Sequence, residues 1–457
     1  VRLGPAPARD SYLRADRLIE AALEVGADAL HPGYGFLAEN ADFAEAVQAA
    51  GLAFIGPPAG AIRAMGSKTE ARALMEAAGV PVAPGFHDDG QRPTAYQWGE
   101  AAERLGYPVL VKAAGGGGGR GMRVVERPAD LPEALAGAQR EALNAFGDER
   151  VFLEKYLARA KHIEFQVFGD GQGHLVHLFE RECSIQRRHQ KLLEAAPAPL
   201  LQQDPDLRAR MASAAVAAAR AVNYQNAGTV EFIVDPATRN FYFLEMNTRL
   251  QVEHPVTEAV TGLDLVQLQL RVAAGEPLPF TQAEVALRGH ALEARVCAED
   301  PAREFLPASG RLLLARPPAG PGLRVDAGFE SGDEVPPHYD SLLAKVIVHA
   351  PERAAALRRL DLALADYVLL GLTTNRDYLR AILAHPVFRA GAATTRFIPE
   401  QMAGWRPEPS PTPDLALVAA ALAEHLAGPG ATADAPAGLA ADPSPWGRAD
   451  GFRIGGA

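Results

Sequence analysis

Five polar residues occupy alternate positions in the segment FYFLEMNTRLQVEHP. They are Glu245, Asn247, Arg249, Gln251 and Glu253. In an extended strand, residues at alternate positions share one face of the sheet. That face is either the solvated side of a half-buried strand or the floor of an active site. Because carboxylates, amides and a guanidinium in one row suit a metal, a small anion and a base, we predict an active-site floor.

The segment that contains the first residues of this row also predicts a metal-binding site. The sequence GTVEFIVDPATRNFYFLEMN predicts two strands joined by a turn at residues 235–240. Folding that hairpin sets Glu231 opposite Glu245, with Asn247 on the same face. Two adjacent carboxylates repel each other unless a cation lies between them. Oxygen ligands of this kind suit Mg²⁺, which keeps coordination positions for phosphate oxygens, so we expect Mg²⁺ here.

The glycine run GGGGGRGM, residues 115–122, lies between two apolar segments that predict strands. A flexible linker is one interpretation of such a run. It is neither a Walker A loop nor a dinucleotide-binding fingerprint, because no helix follows it. We expect a lid whose backbone N–H groups cover phosphates, with Lys112 beside them. Lys68 and Glu154 are either solvated charges or nucleotide contacts, and Leu157 would then form an apolar wall for adenine.

The segment RECSIQRRHQK, residues 181–191, concentrates positive charge in an acidic chain. A charged surface loop is one interpretation, and a pocket for phosphate or bicarbonate is the other. The spacing fits no single helix face, so we predict a loop here. Its basic residues are Arg181, Arg187, Arg188, His189 and Lys191.

The composition limits the classes of function. The chain has 457 residues, 48% hydrophobic and 22% charged, which is typical of a soluble protein with roughly three domains of about 150 residues. A net charge of −11 argues against sequence-independent binding of nucleic acid. Only two cysteines, Cys183 and Cys297, indicate a reducing compartment. No secretory signal or bilayer-spanning apolar run is evident, so we expect the cytoplasm and no membrane partner.

The residues named above lie in four regions of the chain. The pattern of strands and helices in these regions predicts an α/β fold with α+β parts. Residues 1–82 alternate short strands and helices, which predicts a partial N-terminal parallel α/β layer and a linker. Residues 83–156 predict a small α+β lid domain, and residues 157–400 a C-terminal domain with a large antiparallel sheet. Residues 401–457 predict a linker and the start of an interaction domain. Because the chain starts at Val1 within an apparent domain and stops at GFRIGGA, we expect a fragment at both ends.

Several motifs together resemble one family. HPGYGFLAEN, YPVLVKAAGGGGGRGMR, FERECSIQRRHQK, AGTVEF, FLEMNTRLQVEHPVTE and EARVCAEDP are similar to the biotin carboxylase component of biotin-dependent carboxylases, which has the ATP-grasp fold. The resemblance covers about residues 1–400. QVEHPVTE and RRHQK favour this family over other ATP-grasp enzymes such as carbamoyl phosphate synthetase. The tail DPSPWGRADGFRIGGA is similar to the segment after the carboxylase domain in biotin-containing α-subunits, especially of methylcrotonoyl-CoA carboxylase.

The resemblance implies a role for each matching position. Arg249, Glu253, Lys191 and Arg295 would be catalytic, and Arg295 would steady the biotin enolate. Biotin would contact Tyr34 and Arg295. Mg²⁺ or Mn²⁺ would be bound by Glu231, Glu245 and Asn247. Bicarbonate would contact Lys191, Arg249, Gln251, Val252 and Glu253. ATP would contact Lys68, Lys112, Gly117, Gly118, Gly119, Glu154, Lys155, Leu157, His162, Gln186 and His189.

The implied reaction is the ATP- and bicarbonate-dependent carboxylation of biotin N1′ on a carrier domain, through carboxyphosphate. A carboxyltransferase subunit would then use methylcrotonoyl-, acetyl- or propionyl-CoA, within a homo-oligomer or hetero-oligomer. The family starts earlier, with a unit that carries an NRGE-like motif, and the Met-Lys-Met biotinylation motif is absent here. We therefore expect biotin on a separate segment or chain. Another ATP-grasp carboxylate ligase and an inactive nucleotide-binding fragment are the alternatives.

Overall fold

The computed structural model describes residues 1–87, 93–114, 122–188, 190–407 and 414–427. Residues 1–405 form one compact unit and residues 406–457 a second, of which residues 406–407 and one helix are described. The four domain ranges drawn from the sequence stay predictions. Four predicted site residues lie outside the described residues: Gly117, Gly118, Gly119 and His189.

Short alternating elements build the N-terminal layer. Strands β1 and β2 are parallel neighbours, with Ala29 opposite Ala53, as the alternation predicts. Ser67 has an extended backbone and caps the last helix by accepting a hydrogen bond from the Glu70 N–H, which makes Lys68 the first residue of that helix. The elements are α1 (Ala15–Glu24), β1 (Ala29–Leu30), α2 (Ala41–Ala49), β2 (Ala53–Phe54), α3 (Ala59–Gly66) and α4 (Lys68–Ala77).

A four-stranded antiparallel sheet follows, in the order β3-β6-β4-β5. Helix α5 begins at a capping box on Thr94 and packs with α6 around Trp98 and Leu153. Strands β4 and β5 are neighbours, with Val109 opposite Val125, so the glycine run connects adjacent strands as predicted. The elements are β3 (Gly85–His87), α5 (Ala95–Leu105), β4 (Val109–Ala113), β5 (Arg123–Val125), α6 (Leu131–Phe146) and β6 (Val151–Lys155).

The predicted large antiparallel sheet has eight strands in the order β11-β10-β7-β8-β9-β12-β19-β17. Its hairpin β10–β11 is confirmed, with Glu231 opposite Glu245. The turn closes where the Asp235 N–H donates to the Asn240 carbonyl. The elements up to the sheet centre are β7 (Lys161–Gly169), β8 (Leu175–Arg187), β9 (Gln190–Ala196), α7 (Pro199–Gln203), α8 (Pro205–Ala221), β10 (Asn226–Val234), β11 (Phe241–Asn247), α9 (His254–Thr261), α10 (Leu265–Ala273) and β12 (His290–Cys297).

The remaining elements complete the C-terminal part of the compact unit, and α15 belongs to the second unit. None of the described helices is both long and apolar enough to cross a membrane. The elements are β13 (Glu299–Asp300), β14 (Leu306–Pro307), β15 (Gly310–Arg311), β16 (Leu314–Arg316), β17 (Leu323–Ala327), β18 (Glu334–Val335), β19 (Leu342–Ala350), α11 (Arg353–Asp366), β20 (Val368–Leu370), α12 (Arg376–Ala384), α13 (Pro386–Arg389), α14 (Phe397–Gln401) and α15 (Asp414–Ala427).

The segment RECSIQRRHQK is not a loop, so that prediction is wrong. It lies on β8 and β9, which form a hairpin with Gln186 opposite Lys191. The Arg181 side chain is fully buried on β8. A charged segment can form inner strands here because carboxylates on neighbouring strands neutralise it.

The alternating row is a strand only as far as Asn247, and the prediction of one continuous strand is wrong beyond that residue. Residues 248–253 form an irregular turn, and α9 begins at His254. Pro255 lies in the first turn of α9, where a helix needs no N–H donor and the fixed φ of proline is favourable. Nevertheless Gln251 and Glu253 are buried in the same site as the end of the strand.

Two large apolar clusters flank the charged centre of the large sheet. One packs α8 against β7 and β10, around Met211 and Phe232. The other packs α11 and α12 against β12 and β19, and it contains Leu292, Ala294 and Leu360. Because side chains alternate along a strand, the other β12 residues, Glu293 and Arg295 among them, face the opposite side.

Helix α11 offers a matched test of the second cluster. Leu360 is fully buried, whereas Leu362 on the same helix is 63% exposed. Leu360→Ala removes packed methyl groups and leaves a cavity, so we expect the free energy of unfolding to fall by about 2–5 kcal/mol. Leu362→Ala should change it by less than about 0.5 kcal/mol. Urea unfolding followed by circular dichroism measures both, and equal losses would contradict this packing.

Candidate active site

The ammonium of Lys191 lies at the centre of a buried group of carboxylates. Its Nζ donates to Glu164 at 2.5 Å, to Glu231 at 2.9 Å and to Glu253 at 2.5 Å. These carboxylates come from β7, from β10 and from the turn before α9. Burial opposes the charge, yet the three carboxylates hold the pKa of Lys191 well above its usual range. The site therefore contains a permanent positive charge among acids.

Glu231 connects this group to the β10–β11 hairpin. Its Oε1 accepts from the side-chain amides of Asn247 and Gln251, at 2.9 Å each. Its Oε2 lies 2.7 Å from Nε2 of His162. Although burial disfavours the charged carboxylate, Lys191 and His162 lower the pKa of Glu231 well below its usual value. Glu231 is thus ionised and fixed in orientation.

Glu245 completes the predicted metal-binding set with Glu231 and Asn247. The strand register brings Glu231 and Glu245 directly opposite each other. Burial, and next the charge of Glu231, raise the pKa of Glu245. Two partly desolvated carboxylates and an amide oxygen are a donor set that a divalent cation would stabilise, so these residues fit Mg²⁺ or Mn²⁺. A second close group, His162, Glu164 and Glu231, suits a metal less, because Lys191 already donates to both of its carboxylates.

Arg249 is attached to the N-terminal layer. Its Nε donates to Oε2 of Glu39 at 2.8 Å, and its Nη2 donates to Oδ1 of Asn247 at 3.0 Å. Oε1 of Glu39 also accepts from the Thr248 N–H at 3.1 Å. Burial lowers the pKa of Arg249, but Glu39, together with Glu253 and Glu231, more than offsets this, so the net shift is upward. A substrate anion can approach Arg249 because its side chain keeps a fifth of its surface exposed.

Arg295, on β12, connects Glu253 to a second carboxylate. Its Nη2 donates to Oε2 of Glu253 at 2.8 Å, and its Nε donates to Oε1 of Glu194 at 2.7 Å. Glu253 is therefore held from both sides, by Lys191 on Oε1 and by Arg295 on Oε2. Burial favours the neutral acid, but these cations lower the pKa of Glu253 far below its usual value.

Tyr34 and Val252 meet at Lys345, a residue of β19. The Lys345 ammonium lies 5.8 Å from the centre of the Tyr34 ring and donates to the Val252 carbonyl at 2.8 Å. Tyr34 is 40% exposed, so part of its ring is accessible next to Lys345. These contacts place the two predicted residues near each other without testing the roles assigned to them.

A separate cleft lies between α4, β4, β6 and β11. It is lined by Lys68, Arg72, Val82, Lys112, Phe152, Glu154, Phe243 and Leu244. Lys112 donates to Glu154 at 2.6 Å, and Arg72 donates to its other oxygen at 3.3 Å. Burial, and next the charge of Lys112, lower the pKa of Lys68. Two lysines converging on a lined cleft suit the phosphates of a nucleotide.

Three other predicted nucleotide contacts are not among the residues that line this cleft. The Lys155 ammonium, at the end of β6, donates at 2.6 Å to the carbonyl of Gly106, which follows α5. Leu157 follows β6 and is partly buried, and Gln186 lies opposite Lys191 on β8. None of these positions contradicts a nucleotide contact, and none tests it.

Four residues of the site were missed or misjudged from the sequence. Arg181 donates to Glu164, Gln166, Thr257, Thr229 and Gln251. It is buried, and its hydrogen bonds fix the side chains of Glu164 and Gln251, so it is not a surface charge. Glu39, Glu164 and Glu194 were not predicted at all. The available signal was polar residues within buried strands, such as the alternation HIEFQ in β7.

Three family models together match most of the chain. Residues 1–62 match the biotin carboxylase N-terminal domain, residues 67–281 the ATP-binding domain of the carbamoyl-phosphate synthase L chain, and residues 293–400 the biotin carboxylase C-terminal domain. The family models thus cover both the four-stranded sheet and the large sheet.

Curated relatives and solved structures agree with these matches. The chain is 49% identical to a biotin carboxylase of Nostoc sp. over 88% of both chains. It is 50% identical to the mitochondrial methylcrotonoyl-CoA carboxylase subunit alpha of Rattus norvegicus over 87% of this chain, but it spans only about half of that subunit, 55%. It is similar to the biotin carboxylase domain dimer of Hydrogenobacter thermophilus 2-oxoglutarate carboxylase, solved with MgADP, ADP and bicarbonate. The TM-score is 0.83 and the identity 45%, over 90% of this chain and 88% of that one.

The buried role of Arg181 can be tested against a nearby exposed arginine. Arg181→Met leaves several acceptors unpaired inside the sheet, so we expect the free energy of unfolding to fall by about 3–5 kcal/mol. Arg188, with 73% of its side chain exposed beside Glu304, is the control, and Arg188→Met should cost less than about 1 kcal/mol. Denaturant titration of both variants measures the difference. A small loss for Arg181→Met would show that its hydrogen bonds do not stabilise the site.

Proposed function

Because the chain belongs to the biotin carboxylase family, we propose that it carboxylates N1′ of biotin, using ATP and bicarbonate, as one half-reaction of an acyl-CoA carboxylase. The observation that carries this proposal is the position of Glu253, held between the cations Lys191 and Arg295. A base fixed between two cations beside a carboxylate pair suits a reaction that joins an anion to a phosphoryl group.

Glu253 would act as the base that deprotonates bicarbonate. Its low pKa in this state makes it a weak base, because Lys191 and Arg295 stabilise its negative charge. Bicarbonate entering between Lys191 and Arg249 would take hydrogen bonds from Lys191. Glu253 would then lose part of that stabilisation and become more basic when its substrate arrives.

Phosphoryl transfer would follow at the hairpin. The deprotonated bicarbonate oxygen attacks the γ-phosphorus of ATP, ADP leaves, and carboxyphosphate forms. Glu231, Glu245 and Asn247 would hold Mg²⁺ or Mn²⁺, which would offset the charge of the phosphoryl group. Lys68 and Lys112 would hold the ATP phosphates, and Gln251, fixed by Arg181 and Glu231, would orient bicarbonate. Positioning of this kind supplies much of the catalysis in phosphoryl transfer.

Biotin would be carboxylated beside Arg295. Carboxyphosphate breaks down to CO₂ and phosphate, and that phosphate takes the N1′ proton of biotin. N1′ then attacks CO₂, while Arg295 offsets the negative charge that develops on the ureido oxygen. Tyr34 would line the biotin position. The proton balance closes, because the proton from bicarbonate rests on Glu253 and the proton from biotin on phosphate.

The proposed partners follow from the names of the relatives. We propose a biotin carboxyl carrier domain and a carboxyltransferase subunit as partners, and methylcrotonoyl-CoA, which the relatives' names include, as the acceptor. An oligomer is the proposed assembly state, since the similar structure is described as a dimer. Both cysteines are unpaired and buried, which supports a reducing compartment, and the cytoplasm stays a prediction that cell fractionation would test.

Replacement of the base tests the proposal directly. In the full-length protein, Glu253→Gln keeps the shape of the side chain but removes the proton acceptor, so bicarbonate-dependent ATP hydrolysis should fall by about 10²-fold or more. ATP affinity measured by calorimetry should stay near that of the unchanged protein. Glu304→Gln, an exposed carboxylate, serves as the control and should change neither quantity.

Two outcomes would contradict this assignment. Unchanged turnover in Glu253→Gln would remove Glu253 as the base. ADP release that is independent of bicarbonate, or that another acid but not biotin stimulates, would favour a different ATP-grasp ligase.

Arg295→Ala separates the two steps of the reaction. Because Arg295 would stabilise charge on biotin, we expect biotin carboxylation to fall about 10-fold or more beyond the loss in ATP cleavage. Phosphate release and biotin-dependent ¹⁴C-bicarbonate fixation, measured on the same preparation, give the ratio. Equal losses in both rates would remove the specific role of Arg295.

A further inference from the structure

Glu293 is a buried carboxylate that the proposed reaction does not use. It is fully buried on β12, where it lies opposite Glu194 of β9 on one side and Ile347 of β19 on the other. Neither of its carboxylate oxygens has a hydrogen-bond partner among the described residues. Oε2 of Glu194 is buried and unpartnered as well. Two acids thus lie side by side on neighbouring strands, directly behind Arg295.

The charged groups that face Glu293 come from every neighbouring element. They are Glu194 on β9, Arg295 on β12, Lys345 on β19 and Glu253 at the start of α9. Helix α9 packs on the same side of the sheet as Glu293 through two apolar side chains, Val256 and Val260. These contact Ala196, Ala291 and Ile347.

The nearby cations already have other partners. Arg295 donates to Glu194 and Glu253. Lys345 donates to the Val252 carbonyl and lies 3.3 Å from Asp326. An ionised carboxylate buried without a donor is very unfavourable, so the group takes up a proton instead. The surroundings of Glu293 therefore favour its neutral acid.

We propose, on the basis of the function proposed above, that Glu293 is a positioning residue for biotin carboxylation, which acts by remaining a neutral acid behind Glu194 and Arg295. With Glu293 neutral, Arg295 faces a single carboxylate on its inner side and one, Glu253, on its outer side. Its guanidinium is then less strongly neutralised than it would be by two ionised acids on its inner side, so it can better stabilise the biotin enolate.

Ionisation of Glu293 would change this balance. A second negative charge beside Glu194 would attract Arg295 inward and offset its charge towards biotin. Burial raises the pKa of Glu194 to about 7 and, with the charge of Glu194, raises that of Glu293 well above its usual value. The pair therefore keeps a proton well beyond the pH at which an exposed carboxylate ionises. Biotin carboxylation should decline as the rising pH removes that proton, while ATP cleavage without biotin should change less.

Glu293→Gln in the full-length protein tests the proposal, because glutamine has the shape of the neutral acid and cannot ionise. We expect biotin carboxylation within about 2-fold of the unchanged protein near pH 6.5. The decline with rising pH should move upward by about one pH unit or more. Glu180→Gln is the matched control, since Glu180 is also buried with a raised pKa but pairs with Arg208, away from this site. Its pH profile should be unchanged.

Thermal unfolding provides a readout that needs no catalysis. When folding raises the pKa of an acid, the folded protein loses stability as the pH rises from the pKa of that acid in the unfolded chain to its pKa in the folded chain. For Glu293 the pKa in the unfolded chain is about 4.5. The melting temperature of Glu293→Gln should therefore exceed that of the unchanged protein by a margin that grows between pH 5 and pH 8. Glu293→Met should also fold, because the acid makes no hydrogen bond that methionine would lose.

The outcomes separate the two proposals. Identical pH profiles for Glu293→Gln and the unchanged protein would overturn the positioning role, and so would loss of its activity at every pH. A constant difference in melting temperature would show that Glu293 is not held neutral. If the unchanged protein carboxylates no biotin, the proposed function fails and the positioning role with it, while the melting curves still report the protonation of Glu293.

Discussion

Charges buried in the middle of the large sheet must neutralise one another, and the arrangement of the whole site follows from this constraint. Lys191 satisfies three carboxylates from separate segments, and Arg181 and Arg295 extend the pattern on either side. Removing any one cation would leave an uncompensated acid in a medium where that is very costly. The strands β7, β9, β10 and β12 are therefore held in register by their charges as well as by their backbone hydrogen bonds.

The same constraint explains how substrates can enter a site whose cations already have carboxylate partners. Arg249 is paired with Glu39, Lys191 with Glu253, and Lys112 with Glu154. Each proposed substrate group would replace a protein carboxylate as the partner of a cation. One negative partner of each cation is thereby exchanged for another, so no ion has to be buried without a partner. The displaced carboxylate becomes more basic, and at Glu253 that is the property the proposed chemistry requires.

Features with a local cause could be predicted from the sequence, and features with a distant cause could not. The β10–β11 hairpin was predictable because the period of two and the turn residues lie within one segment. The β8–β9 hairpin was mistaken for a loop because the groups that accept hydrogen bonds from Arg181 come from Glu164, Thr229 and Gln251, on other segments. Glu39, which lies about 210 residues before Arg249, gave no signal in a single sequence. The resemblance to a family supplied the role of Arg295, which spacing alone did not.

In the cleft that we propose binds the nucleotide, the ion pair between Lys112 and Glu154 supplies a counter-ion. Arg72 donates to the same carboxylate, so Glu154 would keep a partner if Lys112 turned to a phosphate. The affinity for ATP would then depend on the difference in free energy between two ion pairs, Lys112 with Glu154 and Lys112 with a phosphate. Dissolved salt screens both pairs alike. Such a cleft discriminates by fit more than by net charge. It should hold nucleotide almost equally well across a wide range of ionic strength, and inorganic anions that match only the charge should compete poorly.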